Sequence, residues 1–178
     1  ASDGDAAAAQ ASGEATVPPG TVLSPPPELV CAGAAADGSV RLDAIGVWTF
    51  DCHLADGAVV GGPELDVRAP PMTLVLGAGA RETVERGAVA TIALERTGYV
   101  APLPESARFE VSPGLRVVEV SDDGRTVTIA ADASADDDAW IALVLADRDG
   151  RPVELARLPL AITSPAASPE VVAPAIAE

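Results

Sequence analysis

The sequence predicts an all-β fold from three observations. Apolar and polar residues alternate with a period of two in most segments between residues 21 and 163. Gly, Asp and Pro separate these segments at intervals of strand length. No convincing amphipathic helix is present, because the best candidate, residues 80–90, contains Gly87. Short alternating segments between turn residues are typical of a β-sandwich or a β-barrel.

The alternation places individual strands. In residues 48–54, one face carries Trp48, Phe50 and Cys52, and the other face is polar. Residues 64–69 and 126–131 alternate in the same way. Such a pattern predicts strands with one buried face.

Two further segments depart from strict alternation. In residues 115–120 the apolar phase shifts between Val117 and Val118, which predicts a β-bulge. Residues 140–146 are apolar in both phases, which predicts a central strand or one covered on both faces. Residues 121–124, Ser-Asp-Asp-Gly, predict a tight hairpin turn between the flanking strands.

Composition restricts the classes of partner. Of 178 residues, 48% are hydrophobic but only 3% are aromatic, so the core must consist of aliphatic side chains. The formal net charge is −16, and every basic residue is Arg. Because phosphate binding requires clustered positive charge, the sequence excludes nucleic acid and anionic lipid as expected partners.

The only Met is Met72, and the sequence begins at Ala1. We expect that a signal peptide has been removed and that the protein is secreted, at the cell surface or periplasmic. No apolar run reaches the length of a membrane-spanning helix, so no membrane span is expected. Two cysteines, Cys31 and Cys52, predict a disulfide bond in such an oxidising compartment.

Proline-rich segments divide the chain. We expect a flexible tail in residues 1–20, a small module in 21–69, a larger module in 70–163 and a second tail in 164–178. Ala69-Pro70-Pro71 marks the boundary between the modules. Pro-rich tails favour extended conformations without internal hydrogen bonds.

The first module contains Gly46-Val47-Trp48-Thr49-Phe50-Asp51-Cys52. This run resembles the penultimate strand of immunoglobulin-like domains, with a turn over residues 55–62 and a last strand over residues 64–69. The resemblance implies that Cys31 is the partner of Cys52 in an inter-sheet disulfide. Because only 20 residues separate the cysteines, we expect the middle strands to be shortened or missing.

The second module has no cysteine and resembles the bacterial immunoglobulin-like repeats of secreted or surface proteins. Together the resemblances imply two tandem immunoglobulin-like β-sandwich modules, the first small and disulfide-linked, with Pro-rich extended tails. Sandwiches of this kind have many unrelated functions, so the resemblance predicts fold rather than function.

No catalytic set is predicted. His53 is the only histidine, and it lies on the polar face of its strand without a nucleophile motif elsewhere. Cys52 and His53 are adjacent and point to opposite faces, which argues against a shared zinc ion. We therefore expect neither an enzyme nor a cofactor.

Weaker candidate sites remain. Asp147 and Asp149 have the spacing of calcium-binding carboxylates, although Asp and Gly at these positions are also simple turn residues. Trp48 and Trp140 could form a sugar-binding platform, but core packing is the favoured interpretation. Tyr99 lies in a loop and is a candidate partner contact.

The leading functional hypothesis is a non-catalytic structural or protein-interaction subunit of a cell-surface, filament or periplasmic assembly. Its partners would be other proteins or further copies of the chain. Residues 16–23 or 170–176 could dock as an added strand on another subunit, or both tails could be linkers. The alternatives are a calcium-stabilised carbohydrate-binding module and an accessory subunit of an exported enzyme complex.

Overall fold

A computed structural model describes residues 15–165. The described chain is all-β, and no helix occurs in this range. It forms two compact units. Unit 1 contains residues 15–73, Arg96–Arg108 and Leu143–Ala156, and unit 2 contains Leu74–Glu95, Phe109–Ala142 and residues 157–165. No helix in the described part of the chain is long and apolar enough to cross a membrane.

The described residues form sixteen strands. The first eight are β1 Ala15–Val17, β2 Thr21–Leu23, β3 Leu29–Cys31, β4 Val40–Leu42, β5 Gly46–Trp48, β6 Asp51–Leu54, β7 Val59–Gly61 and β8 Leu65–Val67. The others are β9 Met72–Leu76, β10 Thr83–Glu85, β11 Val89–Gly98, β12 Arg108–Val111, β13 Leu115–Val120, β14 Thr126–Ala131, β15 Asp138–Ala146 and β16 Pro152–Thr163.

Strands β9–β16 have an immunoglobulin-like topology. One sheet has the order β13-β14-β11-β9 and the other has the order β10-β16-β15-β12. With β9 and β11–β16 taken as the seven strands of the constant-type domain, these are its two sheets. The remaining strand, β10, pairs in parallel with the last strand, β16.

Details of this region match the sequence pattern. The register of β13 and β14 shifts between Val117 and Glu119, which confirms the predicted bulge. Strand β15 lies inside its sheet, and Ile141 to Leu145 are all buried, as their apolar character in both phases predicts. Ser121 to Gly124 form the predicted hairpin turn, in which the Gly124 N–H donates to the Ser121 carbonyl.

The first predicted module is built from short sheets within unit 1. Their orders are β1-β8-β5, β3-β6-β7 and β2-β4. The buried cluster consists of six residues, which are Cys31, Val40, Leu42, Cys52, Leu65 and Val67. Trp48 and Phe50 pack against this cluster and are only partly buried. The domain ranges and the immunoglobulin-like character of this module stay predictions.

The resemblance predicts that the run Gly46 to Cys52 is one continuous strand, and this prediction is wrong. It is divided into β5 and β6, and the expected turn after it contains β7. Trp48 faces Leu65 and Asp51 faces Gly61, so two residues on one arm oppose three on the other. The two pairings belong to different sheets, and the residues between them, 49–50 and 62–64, lie outside the strands. A Cβ atom on Gly62 would lie 2.8 Å from the Phe50 Cβ, so this break between the sheets requires glycine there.

Cys31 and Cys52 form a disulfide bond, which confirms the predicted pair. The expected inter-sheet position is wrong. The two residues lie directly opposite each other on the adjacent antiparallel strands β3 and β6, with a Cα–Cα distance of 4.0 Å. The hydrogen bond from Ala32 N to the Asp51 carbonyl shows that Cys31 and Cys52 are a non-hydrogen-bonded pair, the closest pairing in an antiparallel ladder. The bridge therefore joins neighbours within one sheet.

The structure also differs from the predicted N-terminal tail. Residues 15–17 form β1, which pairs in parallel with β8. Pro19 is fully buried, and β2 pairs with β4. Most of the first docking candidate, residues 16–23, is therefore paired within its own chain. The other candidate, residues 170–176, and the rest of the C-terminal tail beyond Pro165 lie outside the described residues.

Removing the disulfide should destabilise unit 1 measurably. The double variant Cys31→Ala, Cys52→Ala should lower the free energy of unfolding by roughly 3 kcal/mol, because a constraint on the unfolded chain is lost. Urea denaturation followed by the near-ultraviolet signal of the two tryptophans measures this. An unchanged midpoint would show that the bridge gives no net stabilisation.

Glycine at position 114 should be required more strictly than at position 124. Both residues have positive φ, but an added Cβ at Gly114 would lie 2.6 Å from the Ala135 Cα, whereas Gly124 has open space around it. Gly124→Ala should cost about 1–2 kcal/mol from the backbone conformation alone. Gly114→Ala should cost about 1–3 kcal/mol more because of the clash. Equal melting temperatures for the two variants would contradict this.

Candidate functional site

The first strand of the immunoglobulin-like fold changes sheets. Strand β9 pairs with β11 and ends at Leu76, and the chain resumes as β10 beside β16. Two glycines permit this change. A Cβ on the buried Gly77 would lie 3.0 Å from the Ala93 Cβ, and Gly79 has a φ of 77°. The sequence Gly77-Ala78-Gly79-Ala80 thus encodes the change of sheet.

The change of sheet leaves part of β11 without a neighbour. The Gly77 N–H donates to the Ala93 carbonyl at 2.8 Å, and this is the last bond of β9 on that side. Residues 89–92 continue beyond it and pair only with β14. They form a free strand edge, which we call the β11 edge.

The hydrogen-bond alternation identifies the free groups. Leu94 N donates to the Arg125 carbonyl, and Ala131 N donates to the Ala88 carbonyl, so the even-numbered residues of β11 bond to β14. The N–H and C=O groups of Val89 and Thr91 therefore point the other way. Among residues 15–165, no backbone partner pairs with these four groups.

A groove of about 730 Å³ runs along the β11 edge. Its walls are mostly small side chains, and its lining residues are Ala78, Gly79, Ala80, Arg81, Thr83, Glu85, Ala88, Val89, Ala90, Thr91, Ile92, Ala93, Thr126 and Thr163. The lining has one Arg and one Glu, so it is locally neutral although the chain carries a net charge of −16. A neutral groove beside unpaired backbone groups can accept an extended polypeptide as an additional strand.

The predicted calcium residues, Asp147 and Asp149, lie in a turn. Asp147 Oδ1 accepts backbone N–H groups from Asp149 at 2.9 Å and from Arg151 at 2.8 Å. This is the turn chemistry that the sequence offered as the alternative. No group of three or more His, Cys, Asp or Glu side chains in the described part of the chain is placed to hold a metal ion.

The turn positions Arg148 against the first predicted module, within unit 1. The Arg148 guanidinium donates to the Val47 carbonyl at 2.6 Å and stacks over the Trp48 ring at 4.8 Å. Trp48 Nε1 donates to the Ala44 carbonyl at 2.9 Å. Hydrogen bonding and cation–π stacking therefore already occupy this tryptophan.

The other two aromatic candidates are Trp140 and Tyr99. Trp140 is half-buried, and the Arg157 guanidinium lies 4.1 Å from its ring. Tyr99 is half-buried, and its backbone N–H donates to the Pro71 carbonyl. A role for Tyr99 in partner contact stays a prediction.

His53 is exposed, on the polar face that the alternation predicts. It lies between Val30 and Val59 in one cross-strand row, and these valines are 54% and 85% exposed. No group of three or more metal-binding side chains in residues 15–165 includes His53.

Sequence reasoning missed the β11 edge. The strand itself is visible from the alternation around Ile92 and Leu94, but a free edge depends on which strands are neighbours. The available signal was Gly77-Ala78-Gly79-Ala80, which interrupts the pattern before β10. Two glycines in four residues indicate an unusual backbone path.

Comparisons with known proteins give weak matches only. No protein-family model matches the chain, and no curated protein sequence matches it. Among solved structures, the chain is similar to SGBP-B of the mixed-linkage glucan utilization locus of Bacteroides ovatus, solved with a mixed-linkage heptasaccharide. The identity is 14% and the TM-score is 0.27, over 83% of this chain and 42% of that protein.

The chain is also similar to the N-terminal eight immunoglobulin domains of Down Syndrome Cell Adhesion Molecule, at 10% identity and a TM-score of 0.29, over 85% of this chain and 23% of that one. The match to murine CEACAM1b has 8% identity and a TM-score of 0.26, over 84% of this chain and 95% of that one. Because these values are low, the assignment of an immunoglobulin-like β-sandwich rests on strand order.

The pKa of Asp37, in the turn between β3 and β4, depends on a hydrogen bond that forms in the folded chain. The Ser39 hydroxyl, and then its backbone N–H, donate to Asp37 and lower the pKa of Asp37 below its ordinary value of 3.8. The ionised carboxylate therefore stabilises the folded chain fully at pH values above 3.8. This contribution is lost as the pH falls through the lowered pKa of the folded state.

Ser39→Ala should raise the pKa of Asp37 toward 3.8, because the largest cause of the lowering is removed. A carboxyl NMR titration measures the change. The pKa of Asp123, which Ser121 lowers in another turn, is the internal control and should not move. If the pKa of Asp37 stays unchanged in the variant, the hydroxyl is not its cause.

Proposed function

We propose that the protein is a non-catalytic interaction subunit of an exported assembly, which binds an extended segment of another subunit along the β11 edge. One observation carries the proposal: the N–H and C=O groups of Val89 and Thr91 face a groove and have no partner strand within residues 15–165. An added strand would pair with all four groups.

The groove favours a segment with small or apolar side chains. Ala80, Ala88 and Ala90 line it, and the half-buried Ala90 shares the inward phase of the buried Ile92. One side of an added strand would therefore pack on alanine and threonine, while the other side would face solvent. The opposite charges of Arg81 and Glu85 favour a segment without a strong net charge.

The donor we propose is residues 170–176 of another copy of the chain. This segment supplies Val171, Val172, Ala175 and Ile176. Thr163, at the end of β16, lines the groove, and residues 166–178 follow it in sequence. Donation between copies would build the filament or surface assembly that the sequence suggests.

The carbohydrate-binding alternative has less support. A sugar platform needs an open aromatic face. The stacked guanidinium groups of Arg148 and Arg157 each occupy a face of a tryptophan, Trp48 and Trp140 respectively. Calcium stabilisation has no observation that favours it over turn chemistry at Asp147.

Deleting residues 166–178 should abolish association between copies. The full chain should sediment as concentration-dependent oligomers, and the deletion variant should sediment as a monomer. A synthetic peptide of residues 166–178, added to the deletion variant, should shift the backbone NMR signals of Val89, Thr91 and Ala93. The same peptide with N-methyl groups at alternate residues keeps its side chains but loses the backbone N–H donors of one edge, and it should not bind.

Ala80→Trp should fill the groove and block the peptide, whereas Ala36→Trp, in an exposed turn of unit 1, should not. Oligomers that persist in the deletion variant would contradict the proposed donor. Peptide binding unaffected by Ala80→Trp would contradict the β11 edge as the site.

A further inference from the structure

Within residues 15–165, four turns share the sequence Xaa-Xaa-Asp-Gly. In each, the glycine has positive φ and its N–H donates to the carbonyl three residues earlier, at 2.8–3.0 Å. Their Asp-Gly pairs are Asp37-Gly38, Asp56-Gly57, Asp123-Gly124 and Asp149-Gly150, and a fifth pair, Asp3-Gly4, lies outside the described residues. The backbone of these turns is therefore the same type I turn followed by a left-handed glycine.

In three of these turns, the Asp carboxylate holds the turn closed. Asp37 accepts the Ser39 N–H at 3.0 Å, Asp56 accepts the Ala58 N–H at 2.9 Å, and Asp123 accepts the Arg125 N–H at 3.0 Å. Each carboxylate is directed toward the residue two positions later. Its Cγ is held in place by that bond.

The fourth turn is different. Asp147, at the first turn position, takes over the bond to the residue after the glycine, because its Oδ1 accepts the Arg151 N–H. Asp149 is left with an ion pair to Arg151 at 3.7 Å, in which both side chains are more than 70% exposed. Its carboxylate accepts no backbone N–H group from residues 15–165.

We propose that Asp149-Gly150 is a site of spontaneous covalent modification, at which aspartate isomerises to isoaspartate in the folded protein. The Gly150 backbone nitrogen attacks the Asp149 Cγ and forms a C–N bond. The carboxyl group reacts in its protonated form: its hydroxyl leaves and combines with the proton lost by the nitrogen, so that one water departs. The product is a five-membered succinimide.

Water then reopens the ring. Attack at the original main-chain carbonyl leaves the chain running through Cγ, which is isoaspartate, and attack at the Cγ carbonyl restores aspartate. Water is the only co-reactant, and nothing is oxidised or reduced. The net change in mass is zero.

The other three sites resist this reaction for two reasons. Their carboxylates would have to break a hydrogen bond to rotate Cγ toward the glycine nitrogen. Asp37 and Asp123 also have lowered pKa values, so they are held more strongly in the ionised form, which is a poor electrophile. Asp149 has no backbone bond to break.

Isomerisation would loosen a contact of unit 1. Isoaspartate lengthens the backbone by one methylene directly after Arg148 and moves the N–H groups that Asp147 accepts. The Arg148 guanidinium would then lose its fixed position at the Val47 carbonyl and over Trp48. The modification is therefore expected to change the environment of Trp48.

To test the proposal, the full chain with its disulfide intact is incubated at physiological temperature and neutral pH. Peptide mapping with electron-transfer fragmentation then locates isoaspartate. Among these four turns, isoaspartate should accumulate first at Asp149, with a succinimide species one water lighter as its precursor. In a Trp140→Phe background, which leaves Trp48 as the remaining tryptophan, the fluorescence should change in step. Accumulation at Asp37, Asp56 or Asp123 as early as at Asp149 would overturn the proposal.

Two controls distinguish the effect of the folded structure on the reaction rate from the effect of the local sequence. In urea all four sites should react at similar rates, and preferential reaction of Asp149 there would show that the fold is not the cause. Asp149→Glu keeps the charge but needs a slower six-membered ring, so it should suppress both the modification and the change in Trp48 fluorescence. A fluorescence change that persists in this variant would overturn the assigned consequence.

Discussion

The path of one strand determines the candidate site. An immunoglobulin-like sandwich closes its first edge by pairing β9 with β11, but here the chain leaves that sheet at Gly77 and joins the other sheet as β10. The same segment cannot pair with both sheets at once. In the part of the chain that the structure describes, the backbone groups of Val89 and Thr91 are therefore left without backbone partners. Exposed strand edges in natural proteins are normally covered, charged or bulged. The edge strand β13 of the same sheet follows this rule with a bulge and with Arg116 and Glu119, whereas the β11 edge opens into a groove.

Unit 1 depends on a different constraint. Its buried cluster in the first predicted module has only six residues, and two of them form the disulfide. Such a small apolar core leaves little stability after the conformational entropy is subtracted. The cystine contributes both buried surface and a covalent restriction. Carboxylates also hold several turns: Asp37, Asp56, Asp123 and Asp147 each accept backbone N–H groups.

Much of the fold follows from local sequence. Alternation predicts the β class, the shifted phase at Val117 predicts the bulge, and the two cysteines predict their own pairing. Whether the disulfide lies within one sheet or between two sheets could not be predicted. Alternation places Cys31 and Cys52 on the apolar faces of their strands, and this is true both for strands in facing sheets and for neighbours in one sheet. The β11 edge depends on strand neighbours, which alternation does not specify. Likewise, the spacing of Asp147 and Asp149 does not reveal that only Asp147 holds the turn.

Amide hydrogen exchange of the free chain, read residue by residue with NMR on the variant that lacks residues 166–178, tests the central claim most directly. A free β11 edge predicts alternation along the strand: the N–H groups of Val89 and Thr91 should exchange rapidly, while those of Ala90 and Ile92, bonded to β14, should be protected. Equal protection of Thr91 and Ile92 would show that the edge is already paired, and it would contradict the account of the groove as a docking site for an extended segment.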